Sequence, residues 1–176
     1  MCMFLLASAQ DPAQVEGPMT AFTDAIGISL NKAQVIDKAM ASWEYSFGLE
    51  PGARILSVDR ESGTIEGEAR LKYRSSILVG REQSMGSVTY KITISAHNGQ
   101  CAVRVHDLWH TGNRSSPLGP LDAGPVHDGT WPLVHYPSMG LSASRKLHDD
   151  IRSQCAARIT ATLRTFIARL RLLEGP

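Results

Sequence analysis

The sequence predicts one α+β domain in which an antiparallel sheet carries a short helix and a long C-terminal helix on one face. Three patterns predict it: strict apolar/polar alternation over residues 64–74, an Asn98-Gly99 turn between two alternating runs, and an apolar stripe of helical period from Leu147 to Leu173. At 176 residues, 43% hydrophobic and 20% charged, the chain has the size and composition of a single globular domain. Such a domain buries a core without metals or multiple disulfides.

The elements follow in order. Residues 10–18 (Gln-Asp-Pro-Ala-Gln-Val-Glu-Gly-Pro) read as a flexible lead-in, and Met19 to Ile28 as a first strand with its end at Gly27. Ser29 is the expected N-cap of a helix whose Val35, Ile36, Ala39, Met40, Trp43 and Phe47 share one face. Gly48 and Pro51-Gly52 stop it. Four strands come next. Arg54 to Asp59 leads into the turn Arg60-Glu61-Ser62-Gly63, and Thr64 to Arg74 returns with Ile65, Gly67, Ala69, Leu71 and Tyr73 on one side. Ser87 to Ala96 points Val88, Tyr90, Ile92, Ile94 and Ala96 inward. Folding about Asn98-Gly99 sets Ala96 opposite Cys101, Ile94 opposite Val103 and Ile92 opposite Val105, so register and apolar pattern agree.

Residues 111–141 are rich in Pro and Gly and form an insertion loop, with Leu121, Val126, Trp131, Leu133, Val134 and Tyr136 as anchors against the domain. The long helix is expected over Ala143 to Leu173, capped by Ser142 or Ser144. Its stripe is Leu147, Ile151, Cys155, Ile159, Leu163, Phe166, Leu170 and Leu173. Arg152, Arg158, Arg164, Arg169 and Arg171 mark its solvated face.

The first nine residues are apolar and end in Ala7-Ser8-Ala9, which fits a truncated signal peptide cut after Ala9. Export to the periplasm or beyond is therefore expected; a cytoplasmic protein is the alternative if this segment is no signal. Cys101 and Cys155 fall on apolar faces and read as buried free thiols rather than a disulfide. No apolar run reaches the roughly 20 residues of a membrane span.

Several chemistries are disfavoured. The net charge is +1, without the basic excess of a nucleic-acid binder. The polar sheet face would show Glu66, Glu68, Arg70, Lys72, Thr89, Lys91, Thr93, Arg104 and His106, mixed in charge and without the aromatic wedges that minor-groove binding needs. His106 and His110, four residues apart on one strand face, stand roughly 13 Å from each other and cannot share an ion. His127 and His135 with Asp122 and Asp128 chelate only if the loop folds to suit. No Gly-x-Ser-x-Gly or Cys–His pairing marks a hydrolase. No cofactor is implied, and no catalytic residue.

The stretch from Asn31 to Asn113 resembles the bacterial domain of unknown function 4468 family. The likeness rests on the helix with Trp43-Glu44-Tyr45-Ser46-Phe47 and the hairpin Val58-Asp59-Arg60-Glu61-Ser62-Gly63-Thr64-Ile65-Glu66-Gly67-Glu68. It continues through Val88-Thr89-Tyr90-Lys91-Ile92-Thr93-Ile94 and Val103-Arg104-Val105-His106-Asp107-Leu108. The resemblance implies a TBP-like β-α-β(4)-α fold, an architecture that also includes helix-grip proteins, and a secreted or envelope location; it supplies no activity. In the regular register Asp107 faces Tyr90 on the core side, either as a simple hydrogen bond or as a polar anchor in a pocket under the long helix. Gly67, Ala69 and Ala96 are small enough to leave room there. Tyr90 and Asp107, with Trp131 of the loop, are the candidate ligand-binding residues. Two functions follow: a non-catalytic interaction module holding a protein partner, or a carrier of a small apolar ligand between sheet and helix.

Overall fold

The structure is a computed structural model and describes residues 19–78 and 82–172. The expected signal peptide, the lead-in and Leu173 lie outside the described residues. Strand β1 (Phe22–Gly27) precedes helix α1 (Lys32–Glu44); β2 (Arg54–Asp59), β3 (Thr64–Tyr73), β4 (Gly86–His97) and β5 (Gln100–Gly112) follow, then a two-residue β6 (Gly124–Pro125) and helix α2 (Leu141–Leu172). The sheet is antiparallel in the order β1-β5-β4-β3-β2, with β6 added beside β5. The α+β class and the two-helix, one-face arrangement are as the sequence predicts; β6 is an addition supplied by the loop.

The Asn98-Gly99 hairpin has the predicted register, with Ala96, Ile94 and Ile92 opposite Cys101, Val103 and Val105. Gly99 takes a positive φ of 78°, which glycine adopts without penalty. The inward residues of β3 and β4 share one buried core with the apolar stripe of α2. Ile65, Ile92, Ile94, Ile151, Ile159 and Phe166 are all at most 1% exposed. Each such side chain contributes about 1.5–3 kcal/mol by leaving water. Helix α1 lies over β4 and β5, and α2 over β1, β3 and β5, so both cover the same face.

Several local expectations change. Asn31, not Ser29, caps α1: its side chain accepts from the Gln34 N–H at 3.0 Å, and the Gln34 side chain accepts from the Asn31 N–H at 3.1 Å. This reciprocal capping box satisfies two donors, which a lone Ser29 could not. The helix ends at Glu44, and Phe47 reaches the core from a short 3-10 turn, Phe47–Leu49. Because α2 begins at Leu141, Ser142 and Ser144 sit within it rather than before it. The Ser144 hydroxyl instead accepts from the Tyr136 N–H and donates to the Gly140 carbonyl, fastening the loop to the helix start. Leu121, Val126 and Tyr136 are buried loop anchors, whereas Leu133 and Val134 are exposed. The room expected at Gly67 is filled: a Cβ there would fall on the six-membered ring of Trp43.

Arg158, expected in solvent, ties α2 to the sheet. It donates to the Lys72 carbonyl at 3.1 Å and pairs with Glu50 at 3.1 Å. About two turns earlier, Asp150 accepts from the Tyr73 hydroxyl at 2.5 Å, from the Ser76 N–H at 3.0 Å and from the Ser76 hydroxyl. Cys101 and Cys155 are free and buried, and burial pushes both thiols up to about 12.

Candidate binding face of the sheet

One residue out of register builds a chain of polar contacts on the outer face of the sheet. Continued alternation along β5 would point Asp107 inward and Leu108 outward. Burying an unpaired carboxylate while exposing a leucine is unfavourable on both counts. The strand instead bulges: Thr89 pairs with Trp109 and Lys91 with His106, so Asp107 and Leu108 share the place opposite Tyr90. Asp107 takes φ 54°, a left-handed conformation that Asp tolerates better than most residues. Leu108 becomes fully buried and Trp109 half-exposed.

The bulge corrects two expectations. Asp107 does not face the core or bond Tyr90; it stands on the outer face between Lys91 and His106. His106 and His110 lie on opposite faces rather than one. His110 is buried, its Nδ1 accepting from the Ala123 N–H at 3.1 Å and its Nε2 lying 3.1 Å from the Ser84 carbonyl. Those two bonds require the neutral Nε2–H form, and burial pushes the imidazole down to about 4.

On the outer face the cross-strand neighbours form rows. Thr23, Arg104, Thr93 and Glu66 make one, on β1, β5, β4 and β3. His106, Lys91, Glu68 and Arg54 make a second. Between and across them runs a polar chain. Thr93 Oγ1 lies 3.0 Å from Glu66 Oε2 and 3.0 Å from His106 Nε2. His106 Nδ1 is 3.2 Å from Asp107 Oδ1, and Asp107 Oδ2 is 3.0 Å from Lys91 Nζ. The Lys91 ammonium first, then His106, holds the Asp107 carboxyl below its ordinary value. Arg70, Lys72 and Arg104 make no ion pair among the described residues.

The short residues Ala25, Ala102, Ser95 and Thr64 form a third row beside the first. A groove of about 480 Å³ lies there, lined by Thr23, Thr93, Ser95, Arg104 and His106. A second groove, of about 650 Å³, lies beside the bulge and is lined by Arg54, Glu68, Arg70, Thr89, Lys91 and Asp107.

Hydroxyl, imidazole and carboxylate in line have the outline of a nucleophilic triad. Two features depart from that outline. The single Thr93 proton has an acceptor on each side, Glu66 as well as His106, so His106 is not its only outlet. The strands flanking Thr93 are paired on both sides, and their ladders take up the backbone N–H groups that would hold an oxyanion.

The three sequence-predicted site residues occupy different surroundings. Asp107 belongs to the outer chain. Tyr90 is buried, its hydroxyl has no hydrogen-bond partner among the described residues, and burial raises the phenol above its usual range. Trp131 sits in the insertion loop with its ring over that of His127, centroids 4.0 Å apart. His127 in turn donates its backbone N–H to His148 Nε2 at 3.1 Å, and Asp128 accepts from the Thr20 hydroxyl at 2.9 Å. Asp122 is held by Arg114 and the Gly112 N–H. Among the described residues no three His, Cys, Asp or Glu side chains are grouped so as to hold a metal ion.

The sheet order, the single covered face and the two helices can be set beside known proteins. A DUF4468 family protein from Bacteroides ovatus has a TM-score of 0.53 and 17% identity, over 84% of this chain and 86% of that one. A TBP-like protein from Parabacteroides distasonis has a TM-score of 0.53 and 12% identity, over 84% and 92% of the two chains. The fold is TBP-like. The predicted resemblance thus holds at the level of fold for the TBP-like chain. No family model matches the sequence, and no curated protein matches it. No described helix of this TBP-like domain is long and apolar enough to cross a membrane.

Proposed function

We propose that the chain is a non-catalytic interaction domain whose outer sheet face holds a polar partner. One observation carries this reading: both helices cover the opposite face, leaving a broad polar surface with two adjoining grooves and with Arg70, Lys72 and Arg104 in no ion pair among the described residues. Extended protein segments suit such a surface, because alternate side chains of the partner can fill successive grooves while the cations meet its carboxylates. The bulge turns Trp109 to the outer face, against the expectation of a face without aromatic side chains, but the mixed charge around it favours a protein over nucleic acid. The domain acts at the cell envelope; the Ala7-Ser8-Ala9 sequence after an apolar run supports this. Sequencing the mature N-terminus of the native protein tests that part, with Gln10 first expected and an intact Met1 contradicting it.

Native mass spectrometry of the protein purified from its own host tests the binding role. A stoichiometric protein partner is expected. A bare chain overturns the reading, and a co-purified small apolar molecule favours a carrier with its ligand near the unpaired Tyr90 hydroxyl. That carrier reading loses support from Trp43, which fills the space over Gly67.

A further inference from the structure

Among the described residues, strand β2 is the terminal strand of the sheet and pairs with β3 alone. An unpaired edge presents a row of N–H and C=O groups to any incoming strand, and proteins usually guard it with lysine, proline or a covering element. β2 has neither lysine nor proline, and its Leu56 and Val58 are 50% and 37% exposed.

Its sequence, Arg54-Ile55-Leu56-Ser57-Val58-Asp59, is complementary to its own reverse. In an antiparallel pair of two copies about a twofold axis between Leu56 and Ser57, Arg54 meets the partner's Asp59 and Ile55 meets the partner's Val58. In a regular strand this register fails, because residues five apart point to opposite faces. The bulge between Ile55 and Ser57 removes that obstacle. Arg54 and Asp59 stand opposite Glu68 and Thr64 on the outer face, while Ile55 and Val58 stand opposite Gly67 and Ile65 on the core side. An irregularity that elsewhere blunts an edge here brings the charged pair to one face and the apolar pair to the other. Arg54 binds Glu68 through Nε and Nη2, so Nη1 is uncommitted among the described residues; Asp59 is exposed, with Oδ1 accepting from the Glu61 and Ser62 N–H groups.

We infer that two copies of this chain pair through β2 into one continuous sheet with a twofold axis. The interface is isologous, so each Arg54–Asp59 contact occurs twice. Both polar faces then lie on the same side of the joined sheet, which doubles the surface available to a partner.

Sedimentation equilibrium of the full chain across the micromolar range tests the pairing. The mass of two chains is expected for the wild type, and the mass of one chain for Val58→Lys at the same concentrations. A wild type that stays monomeric throughout, or a Val58→Lys variant that stays dimeric, overturns the proposal. Should Val58→Lys fail to fold by circular dichroism, Ser57→Cys in a Cys2→Ser background decides. Position 57 lies beside the axis and Cys101 and Cys155 are buried, so mild oxidation is expected to link two chains through residue 57. Absence of that crosslink overturns the pairing.

Discussion

Lowering the pH from about 7 to about 4.5 attacks this fold through two buried imidazoles. His110 is satisfied only as the neutral Nε2–H form, because a proton on Nδ1 would confront the Ala123 N–H. His148 accepts the His127 N–H through Nε2 and has the same conflict. Burial lowers both from an ordinary 6.5 to about 4. In the interval between those values the unfolded chain binds more protons than the folded one. Stability is therefore fully present above about 6.5 and is lost as pH falls through about 4. Each displacement corresponds to roughly 3 kcal/mol, and the pair to roughly 6 kcal/mol. That loss is of the order of the whole stability of a small domain, about 5–15 kcal/mol. Asp107 and Asp150 are lowered from 3.8, so their contributions disappear only at more acidic pH and do not confuse the window. Urea unfolding at a series of pH values measures the slope. His110→Gln and His148→Gln, which cannot titrate, should each flatten it. A urea midpoint unchanged down to about pH 4.5, or variants with the wild-type slope, would show that these two imidazoles do not set the acid stability.

Three further outcomes follow from packing. Gly67→Ala drives a methyl group into the Trp43 ring and should cost about 1–3 kcal/mol, with a changed near-ultraviolet dichroism of the tryptophan. Asp150→Asn weakens the acceptor shared by Tyr73 and Ser76; a loss of about 1–3 kcal/mol is expected, with faster hydrogen exchange at the Ser76 amide as the local readout. In a Cys2→Ser background the folded protein should resist thiol reagents at mildly alkaline pH, and both Cys101 and Cys155 should react in denaturant. Reaction of the folded chain at the rate of the unfolded one would contradict their burial.

The fold was legible where side-chain period and turn chemistry agree. Alternation over 64–73 and the Asn98-Gly99 turn determined three strands and their register, and the Leu147–Leu170 stripe determined the long helix. Legibility stopped at the bulge. A regular register carries Asp107 inward, and only the unfavourable pairing of an inward aspartate with an outward Leu108 signals that the strand must slip. From that slip follow the burial of His110, the exposure of Asp107 and the chain from Glu66 to Lys91, none of which lies on a recognisable motif. Gly67 misled in the opposite sense: its small size makes room for Trp43 of a distant helix, and that contact depends on tertiary packing. Trp131, expected to anchor the loop, packs its ring on that of His127, a contact no sequence period announces.

On the proposed function, the outer face of the sheet is the surface that binds. Charge reversal at Arg104, a cation of the first groove without an ion pair among the described residues, tests this, with Lys146→Glu on the exposed side of α2 as the comparator. Both substitutions are at exposed positions, so both proteins should fold with unchanged circular dichroism. Native mass spectrometry of each variant from the original host is predicted to show the partner lost with Arg104→Glu and retained with Lys146→Glu. A partner retained by Arg104→Glu but lost by Lys146→Glu would move the binding surface to the long helix and contradict the account.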